Sequence, residues 1–169
     1  TASNNTAVGA YSMRDNTTGG NNVAVGISAL KENTEGDNNT SIGNSALCNN
    51  ETADDNTAVG HQSLKDNTTG ACNTAVGKNS LRANTTGANN VAMGKNVLEV
   101  NTTGTQNTAV GANALDANIG ADNNTAVGYN SLTLSTTGAN NASVGAFSLA
   151  ANTEGSHNNA FGTAAMAKN

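Results

Sequence analysis

The sequence predicts an all-β fold in which ten 17-residue coils stack as a parallel β-solenoid, also called a β-roll. The first observation is a glycine that recurs with a constant period, as from Gly60 to Gly77, and closes a short phrase such as "NTAVG". The second is that so short a repeat cannot hold a helix pair, whereas short alternations of Thr, Val, Asn and Gly favour strands joined by turns. Each repeat is therefore expected to form one coil with two short strands, and identical positions are expected to stack along the axis.

The repeat fills the whole chain, so residues 1–169 are interpreted as a single repeat array. Both termini fall within a repeat, which favours a segment of a longer fibre protein. At about 4.8 Å between stacked strands, ten coils would form a rod roughly 48 Å long. The phrase-closing glycines, from which positions are counted below, are Gly9, Gly26, Gly43, Gly60, Gly77, Gly94, Gly111, Gly128, Gly145 and Gly162.

An asparagine stands four residues before every phrase-closing glycine. Stacked asparagines can form a ladder of side-chain amides, as they do in cross-β assemblies. We therefore expect this column to fix one corner of each coil. Its members are Asn5, Asn22, Asn39, Asn56, Asn73, Asn90, Asn107, Asn124, Asn141 and Asn158.

Four further positions of the repeat form columns. Small residues, mostly Ala and Ser, stand two residues before and three residues after the phrase-closing glycine, and larger apolar residues stand one residue before and four residues after it. Side chains alternate between the faces of a strand, so Ala58 and Val59 must point in opposite directions. If Val fills the interior together with the Leu or Met found four residues after the glycine, the outer face carries a flat column of Ala and Ser suited to close packing against another copy. The inverse assignment, with Ala inside and Val at an interface, stays open.

The loop between consecutive phrases reads "NTTG" in several copies and ends in glycine ten residues after the phrase-closing glycine. Ala53 and Ala121 replace that glycine in two copies. Since a residue with a side chain rarely adopts left-handed angles, these two loops are expected to form a different turn.

Composition excludes several classes of function. The net charge is −5 and only 11% of residues are charged, with no basic stripe, so nucleic acid is not expected as a partner. His61 and His157 occupy different coil positions, so no metal site, catalytic triad or cofactor site is expected and the chain is not expected to be an enzyme. No apolar run suits membrane insertion, and Cys48 and Cys72 are interpreted as free thiols.

The phrases "NTAVGHQSL", "NTAVGKNSL", "NTAVGANAL" and "NTAVGYNSL" resemble the head repeats of trimeric autotransporter adhesins. With "NTTG" before the next "NTAVG", the repeat is also similar to arrays in bacteriophage and bacterial tail-fibre proteins. The resemblance implies a left-handed β-roll, a homotrimer around a shared axis, and an extracellular location on a virion tail fibre or bacterial cell surface. It also implies contact with a host surface glycan or protein. This repeat is longer than the adhesin repeat because of the "NTTG" loop.

These observations predict a structural or adhesive fibre module. The first two positions after the phrase-closing glycine vary most, and they hold the possible ligand contacts Tyr11, His61, Tyr129 and Phe147. Exposed aromatic rings there would suit a glycan or receptor, although a turn with relaxed packing explains the same variation.

The alternative function is ice binding by stacked Thr columns. Thr recurs three residues before the glycine and again in the "TT" of the loop. Adjacent residues such as Thr68 and Thr69 cannot share one face of an extended strand, which weakens this interpretation.

Overall fold

The computed structural model describes residues 2–168. Over that range it contains ten strands of three residues each, one per repeat, and no helix, which confirms the predicted parallel β-solenoid of 17-residue coils. We number the coils by the strand they contain. The strands are β1 (Thr6–Val8), β2 (Val23–Val25), β3 (Thr40–Ile42), β4 (Thr57–Val59), β5 (Thr74–Val76), β6 (Val91–Met93), β7 (Thr108–Val110), β8 (Thr125–Val127), β9 (Ala142–Val144) and β10 (Asn159–Phe161).

Each strand pairs in parallel with the next one along the chain, in the order β1 to β10. Paired residues occupy the same position in consecutive repeats, as for Thr57 with Thr74 and Ala58 with Ala75. Because this register equals the sequence repeat, each strand residue lies against the equivalent residue of the neighbouring coils.

The expectation of two strands per coil is wrong: within the described residues each coil contains one strand. Three non-glycine residues of each coil have positive φ angles, as at Cys72 (59°), Asn79 (57°) and Leu81 (51°). A left-handed residue at such short intervals interrupts the extended conformation that a strand requires. This side of the coil is still bonded to its neighbour: the Leu81 N–H donates to the Val97 carbonyl at 2.9 Å.

The interior is filled by the small residues and leucines, which settles the alternative left open by the sequence. Ala58 and Leu64 are fully buried, whereas Val59 on the same strand is only partly buried and points outward. The small column three residues after the glycine is also interior, as at Ser63 and Val97. The expectation of a flat outer face of Ala and Ser is therefore wrong, because both small-residue columns are buried in the core of the coil.

The phrase-closing glycine is required for two reasons. Its φ angle is positive in every coil, 134° at Gly60, which is a region that residues with a side chain rarely adopt. A Cβ atom at Gly60 would also lie 2.5 Å from the carbonyl oxygen of Gly77 in the next coil. The backbones of consecutive coils thus approach too closely at this column for any side chain.

The expectation of a different turn at Ala53 and Ala121 is also wrong. The Ala53 carbonyl accepts hydrogen bonds from the Nδ2 atoms of Asn39 and Asn50 at 2.8 and 3.0 Å, and the Gly70 carbonyl accepts the two equivalent bonds at 2.9 Å. Neither Ala53 nor Gly70 has a positive φ angle. The turn therefore does not need the left-handed conformation, and alanine preserves its side-chain hydrogen bonds.

Candidate functional surfaces

The predicted asparagine column lies at a corner of the coil and joins side chain to main chain. At each of its nine junctions the backbone N–H of one asparagine donates to the Oδ1 atom of the equivalent asparagine in the preceding coil, as from Asn90 to Asn73 at 3.0 Å. The Nδ2 atom of Asn73 donates in turn to the Gly87 carbonyl at 2.8 Å. Each amide therefore satisfies one donor and one acceptor of the backbone where the chain turns.

A second asparagine column, seven residues after the phrase-closing glycine, forms bonds from amide to amide. Asn84 donates through Nδ2 to the Oδ1 atom of Asn67 at 2.8 Å, and Asn101 does the same to Asn84 at 2.9 Å. The series is broken at coil 8, where Ser135 is too short to reach, leaving Asn118 Oδ1 and Ser135 Oγ buried without a partner. The recurrence of Asn at this position is visible in the sequence, although only the first column was predicted to form a ladder.

The outward side of the strands forms one long uncharged surface, which we call the outer strand face. Its members are the first and third residues of every strand, and no charged residue occupies either position in any coil. Val8, Ile42 and Met93 are 57%, 40% and 42% exposed there. Exposed apolar surface that continues along a whole molecule is typical of an interaction site.

The four possible ligand contacts are all exposed, but they do not form one site. Tyr11 lies in coil 1 and His61 in coil 4, whereas Tyr129 and Phe147 lie in the adjacent coils 8 and 9. The rings of Tyr129 and Phe147 pack edge to face, with centroids 5.3 Å apart and planes at 85°. The structure therefore brings together two of the four residues.

The loop threonines are engaged in the coil itself. The hydroxyl of Thr68 donates to the Thr85 carbonyl at 3.0 Å, and Thr85 donates to Thr102 at the same distance. The threonines of the outer strand face, such as Thr57 and Thr74, are half-buried. Of the two Thr columns considered for ice binding, the one in the strands lies on the parallel sheet.

Ionisable groups five and six residues after the glycine form pairs within a coil, and Arg82 pairs between coils with Glu99 at 3.1 Å. Arg14 donates two hydrogen bonds to Asp15, at 2.8 and 2.7 Å, and these bonds hold the pKa of the Asp15 carboxyl below its usual value. Asp116 has the opposite environment: partial burial, and secondarily the charge of Glu99, raises its pKa. Burial likewise raises the pKa of the Cys48 thiol.

Cys48 is buried and Cys72 is exposed, and both are free thiols. Residues 2–168 contain no pocket and no group of three or more potential metal-ligating side chains. Within the same residues there is also no helix with the length and apolar character needed to cross a membrane. Comparisons with protein-family models, with curated proteins and with solved structures find no match to this chain.

Proposed function

We propose that this chain is a segment of a rigid, extracellular fibre, assembled as a parallel homotrimer that projects from a virion tail or a bacterial cell surface towards a host. The observation that carries the proposal is the unbroken register over ten strands, in which each coil bonds only to its neighbours. Quasi-one-dimensional arrays of this kind generate length and stiffness. The phrases that resemble adhesin heads and tail-fibre arrays support the same role.

Stiffness follows from how many sites join one coil to the next. Between coils 5 and 6 the strands pair, Asn73 accepts from the backbone of Asn90, and Thr85 donates to the following coil. The second asparagine column adds the bond from Asn101 to Asn84, next to the first column, since Asn73 and Asn84 donate to the same Gly87 carbonyl. Bending the rod would break bonds at several corners of a coil together, so a uniform rod resists bending.

The outer strand face is the surface we assign to the contact between chains. In a closed threefold ring the same residues of each chain meet around the axis, so an uncharged face can meet itself without burying unpaired charge. Val59 and Val76 would be covered in this arrangement, and burying one valine fully is worth about 1.5–3 kcal/mol. Repetition over ten coils turns that modest gain into a stable assembly.

The test is the mass in solution, measured by sedimentation or light scattering at micromolar concentration. We expect three times the chain mass of 16.7 kDa. Val76→Glu, on the outer strand face, should release folded monomers, and Lys95→Glu, at an exposed position after the glycine, should leave the trimer intact. Ala92→Glu should prevent folding altogether because Ala92 is fully buried. A folded monomer of the parent chain would refute the assembly.

Ice binding is the second candidate, and one observation favours it: the strand threonines and valines stack in register, about 4.8 Å apart, on an uncharged sheet. The two candidates use the same face and exclude each other, since a trimer would cover it. A monomeric parent chain with thermal hysteresis, lost in Thr74→Lys, would support ice binding. A trimer without hysteresis would dismiss it.

A further inference from the structure

We infer that Tyr129 and Phe147 form a stacking site for a neutral pyranose sugar on the flank of the rod. The inference deepens the proposed fibre role and rests on it, because a projecting fibre presents this flank to glycans of the host. The two rings touch edge to face, with centroids 5.3 Å apart, and are 50% and 44% exposed. The edge-to-face contact holds each ring in place without covering both of its faces.

The neighbours of Tyr129 leave room beside its ring. The position that it occupies, directly after the phrase-closing glycine, holds Ala112 in the coil before and Ala146 in the coil after. Neither alanine is long enough to cover an aromatic ring. The negative face of such a ring attracts the partly positive C–H groups that line one side of a pyranose, so a sugar ring can lie flat on Tyr129.

Phe147 adopts the left-handed conformation that its coil position has in every repeat. Its φ angle is 58°, which is common for asparagine and an outlier for a bulky residue. Tyr11, at the same position of coil 1, has a φ angle of 60° and is more exposed than Phe147. The left-handed backbone is therefore a property of the fold, and the case for a ligand rests on the two exposed, paired rings.

Phe147 also frees a polar group beside the rings. Two residues after the glycine, Asn113 donates through Nδ2 to Asn130 Oδ1 at 3.0 Å. Asn130 would donate to the next coil in the same way, but Phe147 occupies that position and offers no acceptor. An aromatic platform with an adjacent free amide matches a sugar, which has one apolar face and a rim of hydroxyls.

Size and charge favour a sugar over a protein partner. A stable protein interface covers about 800 Å² on each side, whereas this patch consists of two rings. The surrounding residues Ala112, Asn113 and Ala146 are small or neutral, so nothing here selects a charged ligand.

The experiment follows the ring signals of the intact protein by NMR, with labelled Tyr and Phe. The probes are the methyl glycosides of glucose, galactose, mannose and N-acetylglucosamine, with glycerol as a polyol that lacks a ring. We expect saturable shifts of Tyr129 and Phe147 with at least one glycoside, at an affinity of about millimolar. Tyr11 and Phe161 serve as internal controls, because neither has an aromatic neighbour among residues 2–168.

Two variants separate binding from folding. Tyr129→Ala restores the residue of the neighbouring coils, and Phe147→Asn restores the asparagine of coils 5 to 8, so both should fold as the parent does. Both should abolish the shifts of the remaining ring, whereas Tyr11→Ala should not. The inference is overturned if no glycoside shifts the two rings, if glycerol shifts them equally, or if either variant retains binding. The mass measurement tests the fibre proposal separately, so a trimer without sugar binding refutes this inference alone.

Discussion

Ser135→Asn should stabilise the protein, because it repairs the single interruption of the second asparagine column. The Oδ1 atom of Asn118 is buried and has no hydrogen-bond partner beside Ser135. An asparagine at position 135 would donate from Nδ2 both to Asn118 and to the Gly138 carbonyl, as its counterparts do in other coils. Its Oδ1 atom would in turn accept from Asn152, which donates only to the Gly155 carbonyl.

The magnitude follows from the cost of an unsatisfied buried group. Leaving such an acceptor unpaired costs about 1–3 kcal/mol, and each new bond contributes about 0.5–1.5 kcal/mol net. Because asparagine fits this position in the other coils, we expect no strain to offset the gain. The free energy of unfolding in urea should therefore rise by about 1–3 kcal/mol, which corresponds to roughly 2–4 °C in melting temperature for each kcal/mol.

Asn84→Ser is the matched control, since it introduces the same interruption three coils earlier. It removes the bonds of Asn84 to Asn67 and to Gly87, at 2.8 and 2.9 Å, and the bond that Asn101 donates to Asn84. Its loss should be about as large as the gain from Ser135→Asn. If Asn84→Ser destabilises the protein and Ser135→Asn leaves the urea midpoint unchanged, the reasoning about unsatisfied amides is refuted.

Three further predictions concern the coil corners and one partly buried carboxyl. Asn90→Ala leaves the Asn107 N–H unpaired and removes one of the two bonds to the Gly104 carbonyl, which Asn101 still donates to. It should cost about 1–3 kcal/mol in urea unfolding; an unchanged midpoint, equal to that of the exposed control Lys78→Ala, would contradict the ladder. Gly60→Ala should cost about 3 kcal/mol or more of unfolding free energy, because of its positive φ angle and the close backbone of the next coil. Thermal melts followed by circular dichroism are the measurement, and an unchanged melting temperature would contradict this prediction. Asp116→Asn should be more stable than the parent at neutral pH, because partial burial and the charge of Glu99 raise the pKa of Asp116 above 3.8. Because the pKa is raised in the folded state, protonation of Asp116 in acid removes the cost of its buried charge. The difference in unfolding free energy between variant and parent should therefore disappear as the pH falls towards 3.8. A difference that does not change with pH would contradict this explanation.

The sequence predicts the architecture of this protein because the period alone carries it. A repeat length that never slips places Thr57 beside Thr74 whatever the local conformation. Strand type and parallel pairing follow from composition and register together. The asparagine corner is visible in the same way, since its position is occupied without exception.

The sequence says less about which way the strand side chains point and about the backbone conformation of the part of the coil that contains Leu81. Alternation shows that Ala58 and Val59 point in opposite directions, but it does not show which is inside, and the narrow coil admits alanine where valine would be too large. Leucine disfavours left-handed angles, so nothing in the local sequence indicates the φ of 51° at Leu81. Burial of the leucine side chain outweighs this local preference, which is a tertiary effect. The aromatic pair is likewise visible only when coils 8 and 9 are stacked.

The equality of register and repeat also bears on how the chain finds its fold. A strand that pairs with its second neighbour rather than its first meets almost the same side chains, so a state that has skipped a coil loses the contacts of that coil but keeps native-like contacts elsewhere. Repeat proteins commonly misassemble in this way, and identical contacts give the chain little means of correction. Residues that differ between coils supply that means, since Ser135 or Phe147 fits its neighbours differently after a slip. Such positions therefore distinguish one coil from the next and favour the native pairing during folding.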